Sequence, residues 1–250
     1  MLKRYLFTLV ISVVGTLAAS AQYDMSLSHY FAQEPVFNPA AVGKESKLNV
    51  TGSYALDFAG FEHNPRTMIV AADMPLFMLK HYHGVGVQMT SDKLGLFDHQ
   101  RFAVQYALKT KLLGGMLGIG VQVGMLSEKF NGSQTDTEEG NDPAIPTTDV
   151  SGSGLDVGVG LYYVHGDWYA GASVAHATAP QVTLGDSYRL DIDRTYYLTG
   201  GYNIKLRNPF ITIKPTVLLR SDGSAFRADI TSRVVYTHDK RMLYGGVTYS

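Results

Sequence analysis

Apolar and polar residues alternate with a period of two through most of this chain. In "MLGIGVQVGM", Leu117, Ile119, Val121, Val123 and Met125 fall on one side, and Gly118, Gly120, Gln122 and Gly124 on the other. Successive side chains of a strand point to opposite faces, so such a run predicts a strand with one apolar face and one small or polar face. "LDVGVGLYY" repeats the split, with Leu155, Val157, Val159 and Leu161 against Asp156, Gly158 and Gly160. So does "GVGVQM", with Val85, Val87 and Met89 against Gly84, Gly86 and Gln88. The same template predicts about eleven strands, at roughly 46–58, 65–74, 83–92, 97–111, 116–128, 154–164, 168–176, 191–205, 210–220, 225–236 and 241–249. Many run about ten residues or more, above the usual five or six of soluble sheets and near what a tilted membrane strand needs. No amphipathic helix separates them. The expectation is an all-β, antiparallel up-and-down outer-membrane barrel spanning 46–250 as one domain.

The connections add a direction. Leu112 to Gly115, His165 to Asp167, Arg207 to Pro209 and Thr237 to Lys240 read as tight turns, whereas 131–152 and 177–188 read as long loops. Short turns on one rim and longer loops on the other are the pattern of an outer-membrane barrel whose short rim lies in the periplasm. The stretch Pro75 to Tyr82 is predicted as a connection longer than its rim should have. Arg101, Lys109, Asp156, Lys214, Arg227, Asp229 and Arg233 all fall on the non-apolar face of their strands. A lipid-facing surface requires that, because a charge at the bilayer midplane costs roughly 2–4 kcal/mol. Phe97, Tyr106, Tyr163, Trp168, Tyr169, Tyr196, Tyr236 and Tyr244 near strand ends suit interfacial girdles. Alternation by itself is equally compatible with a secreted soluble β-protein, since turning a barrel inside out preserves the period. That alternative stays open, as does a passive outer-membrane channel.

The N-terminus bears on the compartment. "MLKRYLFTLVISVVGTLAASAQ" has Lys3 and Arg4, then an apolar run from Leu6 to Leu17, then Ala19-Ser20-Ala21. This is the layout of a signal peptide over 1–21, cleaved near Ala21, and the run is shorter than the roughly 20 residues that span a bilayer. Residues 22–45 then form a strandless periplasmic lead containing "FNPAAVG". In it the Asn38-Pro39 turn, small residues and Gly43 let the lead fold back compactly. Phe37, Asn38, Pro39 and Gly43 are the expected contacts anchoring this lead to the barrel base. At the other end, an eleventh strand starting from a periplasmic N-terminus leaves Ser250 on the loop side. Bacterial barrels have even strand numbers, so further strands after Ser250 are expected.

Candidate chemistry is sparse. The chain has no cysteine, which excludes a disulfide framework, a thiol nucleophile and Cys-ligated metal. A net charge of −1 offers nothing to a nucleic acid. His81 and His83 share one face of an extended segment, but two imidazoles fall short of a zinc ligand set. Asp136, Glu138, Glu139, Asp142 and Asp149 do not match the spacing of a calcium-binding loop. "GSGLDVGVG" lies inside an alternating strand without the helix a phosphate loop needs, and no G-x-S-x-G elbow occurs. No catalytic residue, cofactor or metal is expected. The charges facing away from lipid either line a pore or pair with one another inside a small barrel.

Several ordered blocks carry a family resemblance. "HYFAQEPVFNPAAVG", "GFEHNPRTMIVAADMPL" and the run from Gly84 to Met125 with its Asp92-Lys93 and Gly95 turn are three of them. They are followed by "RTYYLTGGY", "KPTVLLR" and "MLYGGVTY". In this order they resemble the PorP/SprF outer-membrane proteins of the type IX secretion system of Bacteroidetes, over nearly all of the mature chain. The resemblance implies a non-enzymatic outer-membrane component supporting export or surface attachment of cargo proteins. Its implied partners are type IX machinery proteins, secreted surface cargo and outer-membrane lipid, with no nucleic acid.

Overall fold

The computed structural model describes residues 24–25, 27, 29–61, 64–134, 148–185, 188–239 and 241–250. The segment 1–21 expected to be a signal peptide and the acidic residues Asp136, Glu138, Glu139 and Asp142 lie outside them. The chain is all-β. Its strands are β1 (Asn49–Leu56), β2 (Arg66–Met78), β3 (His81–Leu94), β4 (Phe97–Leu112), β5 (Gly115–Asn131), β6 (Asp149–His165) and β7 (Trp168–Ala175). They continue with β8 (Gln181–Leu184), β9 (Tyr188–Asp191), β10 (Thr195–Tyr202), β11 (Ile204–Lys205), β12 (Ile211–Ser221), β13 (Phe226–His238) and β14 (Arg241–Tyr249). One antiparallel 12-stranded sheet runs β1-β2-β3-β4-β5-β6-β7-β10-β12-β13-β14, with β11 paired to β12, and β8-β9 form a separate hairpin. The sheet is not closed: β1 and β14 are its two edges.

The faces are distributed as lipid would require. On β4, Phe102 and Val104 are about half exposed, while Arg101, Ala103, Gln105 and Ala107 are buried. On β5 and β6, Ile119, Val121, Val123, Met125, Leu155 and Leu161 are exposed, while Gln122, Glu128 and Asp156 are buried. Polar inside and apolar outside inverts the pattern of a soluble sheet, and it suits strands that face hydrocarbon. The predicted girdle divides on the same principle. Tyr106, Tyr163, Trp168, Tyr196 and Tyr236 belong to the outer face, but Tyr169 stacks on buried Tyr162 and Tyr244 meets Phe31 on the inner side.

Two local expectations are corrected. Pro75 to Tyr82 is not a long connection: β2 continues to Met78 and turns into β3 through Leu79 and Lys80, both at positive φ. β1 accompanies β2 only as far as Asp73, so Pro75 sits where one side of the strand carries no ladder, the setting a strand proline tolerates. The predicted strand 191–205 is divided into the end of β9, then β10, then β11. With the turn at 79–80 in place, one rim carries the tight turns 79–80, 113–114 and 166–167 and the link from β13 to β14. At the opposite rim β5 ends and β6 begins, and β7 ends and β10 begins. That loop rim also has short links at 95–96 and 222–225.

Candidate functional site

What fills the inner side of the sheet is the lead. Tyr30–Ala32 forms a 3-10 turn, Glu34–Phe37 a single helical turn (α1) with Pro35 in its first positions, and Pro39–Ala41 a second 3-10 turn. Asn38 separates the last two in an extended conformation, and its Oδ1 accepts from the Ala40 amide at 3.0 Å. Proline at the start of a turn costs no hydrogen bond, and asparagine is a preferred cap, so "EPVFNPAAVG" folds back on itself locally. Gly43, at φ 61°, then releases the chain towards β1.

Strand glycines make the seat. A Cβ on Gly84 would collide with the Val42 carbonyl, one on Gly120 with the Pro39–Ala40 peptide, and one on Gly160 with the Asn38 side chain. At Gly118 it would stand 2.7 Å from the Ala40 carbonyl oxygen. The lead's backbone therefore lies directly on the backbone of β3 and β5, with the Asn38 side chain on that of β6. Hydrogen bonds fix the register: Asn38 Nδ2 donates to Leu161 O at 3.0 Å, and Ser173 Oγ to Phe37 O at 2.7 Å. Gln105 Nε2 donates to Pro35 O at 2.6 Å, and the Gly43 amide donates to Asp73 Oδ2 at 2.7 Å.

The opposite wall holds the lead with long side chains. Tyr30, fully buried, donates its hydroxyl to Thr216 O at 2.9 Å. Phe37 stacks on Tyr197 with ring centroids 5.4 Å apart, and the Arg233 guanidinium lies 3.7 Å above the Phe31 ring centroid. Leu27, Tyr30, Phe31, Val36 and Phe37 share one apolar cluster with Ile69, Ala71, Ala175, Tyr197 and Leu218. Buried Glu34 is met by the Tyr162 hydroxyl at 2.7 Å and by Lys44 Nζ at 2.5 Å.

The far end of the lead is clasped by charge. Asp24 receives the Tyr197 hydroxyl at 2.7 Å and lies 3.2 Å from His176 Nε2, while His176 Nδ1 meets Asp156 at 2.8 Å. Arg220 Nη1 donates to the Asp24 and Met25 carbonyls at 3.0 and 2.6 Å. Burial pulls the His176 imidazole down. The hydrogen bonds to Asp156 and Asp24, with their charges, outweigh it and raise it to about 9. Burial likewise opposes ionisation of Asp24, but the His176 bond and charge, with Arg101 and Tyr197, hold it well below the usual carboxylate range. A charged imidazolium thus ties the lead to β6 near the loop rim. Over it the β8-β9 hairpin folds inward, burying Val182, Leu184 and Ile192 against Leu126.

Phe37, Asn38 and Pro39 therefore lie midway along the lead's path, and Gly43 lies towards the short-turn rim. The clasp and the inward hairpin carry no local signature: Asp24 and His176 are 152 residues apart. Of the predicted inner charges, Arg227 pairs with Asp229 at 3.0 Å and Arg101 with Asp156 at 3.8 Å, whereas Lys109, Lys214 and Arg233 make no ion pair among the described residues. His83 uses both ring nitrogens, at 2.7 Å from the Tyr106 hydroxyl and 3.0 Å from Met78 O, and Asp149 pairs with Lys129. No metal-binding group of three occurs among the described residues.

A model of the type IX secretion system membrane protein PorP/SprF matches residues 19–250. The chain belongs to the PorP/SprF family. No curated protein matches it. Among solved structures, the β domain of the Bordetella autotransporter BrkA is similar, at 15% identity and a TM-score of 0.38, over 82% of this chain and 88% of that one. As a PorP/SprF protein the chain is a type IX secretion membrane component with β-barrel character, and the lead described above lies within the matched residues.

Proposed function

We propose that this PorP/SprF protein serves type IX secretion as a scaffold in the outer membrane, supporting export or surface attachment of particular cargo proteins through protein–protein contacts. The observation that carries this reading is the occupied inner side of the sheet. A seat of glycines, an apolar cluster and a charged clasp are all spent on the chain's own lead, which therefore occupies the space a solute would have to cross. In this reading residues 1–21 are removed, 22–45 act as the internal lead and 46–250 form the barrel domain, with the short-turn rim in the periplasm. Phe37, Asn38, Pro39 and Gly43 hold the lead in place, so that both rims present fixed surfaces to machinery and cargo.

In-cell cross-linking of a tagged chain tests this directly. Recovery of type IX machinery or of a secreted surface protein is expected, and purified protein in a planar bilayer should be silent. A stable open conductance together with no recovered secretion protein would make the chain a channel instead.

A further inference from the structure

The register of the sheet sets a second pattern on its outer face, at the loop rim. Arg66 pairs with Lys93, Lys93 with Asp98 and Asp98 with Lys129, so the four stand side by side on β2, β3, β4 and β5. All four have the strand parity of the apolar outer residues; the three cations are exposed, whereas Asp98 is buried. A polar cavity of about 340 Å³ lies among them, with Asn64, Gly95 and Asn131 completing its lining.

The row is short of counter-charge. Lys93 Nζ is 3.2 Å from Asp98, and Lys129 Nζ is 3.1 Å from Asp149. Arg66 donates its Nε to Asn64 Oδ1 at 3.0 Å and has no carboxylate within ion-pair distance among the described residues. Like charges directly opposite one another in a sheet are destabilising, and Arg66 and Lys93 are such a pair. An anion held between them removes that cost. Phosphate suits the place, because a guanidinium offers it two parallel donors.

The residues towards the middle of the strands say what carries the phosphate. Two positions in, about 7 Å along the strands, the register aligns Ser91, Gln100, Ser127 and Ser153 across β3 to β6, beside Met68 on β2. Two positions further it aligns Val70, Met89, Phe102, Met125 and Leu155, all exposed. The outer face thus passes from cations through hydroxyl and amide groups to an apolar band. That is the order of a phosphorylated headgroup, its polar body and its acyl chains. The middle row spans three inter-strand spacings, about 14 Å, which is wider than one glycerol and suits a sugar headgroup.

We propose that this stratified face of β2 to β6 is a binding site for a phosphorylated glycolipid. Its phosphate bridges Arg66 and Lys93, with Lys129 beside it. Its sugar hydroxyls meet the serine and glutamine row, and its acyl chains lie on Met89, Phe102 and Met125. The lipid belongs to the leaflet that faces outward, an assignment that rests on the orientation proposed above.

The test is native mass spectrometry of the full mature chain in detergent micelles. The probes are diphosphorylated lipid A, the same lipid A after phosphatase treatment, phosphatidylglycerol and inorganic phosphate. Diphosphorylated lipid A should bind at least about tenfold more tightly than its dephosphorylated form and than phosphatidylglycerol, as loss of a charge-assisted contact implies. Arg66→Gln should erase the difference between the two forms of lipid A, and Lys93→Arg should keep it. Equal binding of those two forms by the parent chain would overturn the proposal, whatever the variants do. So would an unchanged difference in Arg66→Gln, phosphatidylglycerol binding as tightly as lipid A, or inorganic phosphate binding in place of the lipid. Cross-links to secretion machinery in cells would survive such a failure, whereas their loss with lipid binding intact would sink the scaffold reading alone.

Discussion

The two walls around the lead hold it in different ways. Across β3 and β5 the contact is backbone on backbone, made possible by Gly84, Gly118 and Gly120, and on β6 Gly160 makes room for the Asn38 side chain. Across β10, β12 and β13 it is made by the side chains of Tyr197, Arg220 and Arg233 reaching in, and by the lead's Tyr30 hydroxyl reaching out to Thr216 O. At these four glycines the first wall has no slack, since a Cβ there would stand 2.1–2.7 Å from an atom of the lead. The second can re-pack, because long side chains shift rotamers and a lost hydrogen bond leaves room for water. A lead fitted rigidly on one side and adaptably on the other is positioned by the glycines and held down by the side chains.

Breaking the rigid wall should have the largest effect. Gly120→Val puts a branched side chain where the Pro39–Ala40 peptide lies, and the lead should fail to seat, with a cost above about 3 kcal/mol. Limited proteolysis of residues 29–45 in the folded barrel would show it as cleavage absent from the parent. On the adaptable wall, Phe37→Ala removes a buried ring stacked on Tyr197 and should destabilise by about 3 kcal/mol, read as a lower midpoint of heat-modifiable gel migration. The lead should nonetheless remain seated. If instead Phe37→Ala frees the lead and Gly120→Val does not, the ranking of the walls is reversed.

The clasp gives a smaller, pH-dependent effect. His176 is raised from 6.5 to about 9, so its contribution is full below its unfolded value and is lost as pH rises through about 9. Asp24 is lowered, so its contribution is present above its unfolded value of 3.8 and is lost only in stronger acid. His176→Gln should therefore cost about 2 kcal/mol between these limits, around pH 5–6. The gap to the parent should narrow as pH rises towards 10. A gap independent of pH from 6 to 10 would remove the imidazolium from the account. Smallest is Tyr30→Phe, which loses one buried hydrogen bond to Thr216 and should shift stability by about 1 kcal/mol without exposing the lead.

Much of the fold was legible in the chain because a period of two is a local signal. The order of the strands, the tight turns at 113–114 and 166–167, and the polar inner faces all follow from residues within a dozen positions of one another. Pro75 misled because proline argues against a strand unless one knows that β1 stops pairing at Asp73, a fact of register and not of composition. The β8-β9 hairpin escaped because strands of four residues carry too few alternations to separate from a loop. For the site, the small lumenal face of "GIGVQVG" and "VGVG" was visible, and so was a lead able to fold compactly. Which glycine meets which lead atom depends on the relative heights of β3, β5 and β6. The clasp depends on bringing together residues far apart in the chain, and neither Asp24 nor His176 is marked by its neighbours.

The occupied inner side of the sheet is tested most directly by a cross-link, since the chain has no cysteine of its own. A Cβ built at Gly86 stands 3.0 Å from Cγ1 of Val42, within the reach of a disulfide between the two positions. The double substitution Val42→Cys with Gly86→Cys should oxidise nearly completely in the folded, membrane-inserted protein and leave no thiol for a membrane-impermeant maleimide. Free thiols that label in the folded barrel, with no disulfide formed, would contradict a lead seated on the glycine wall.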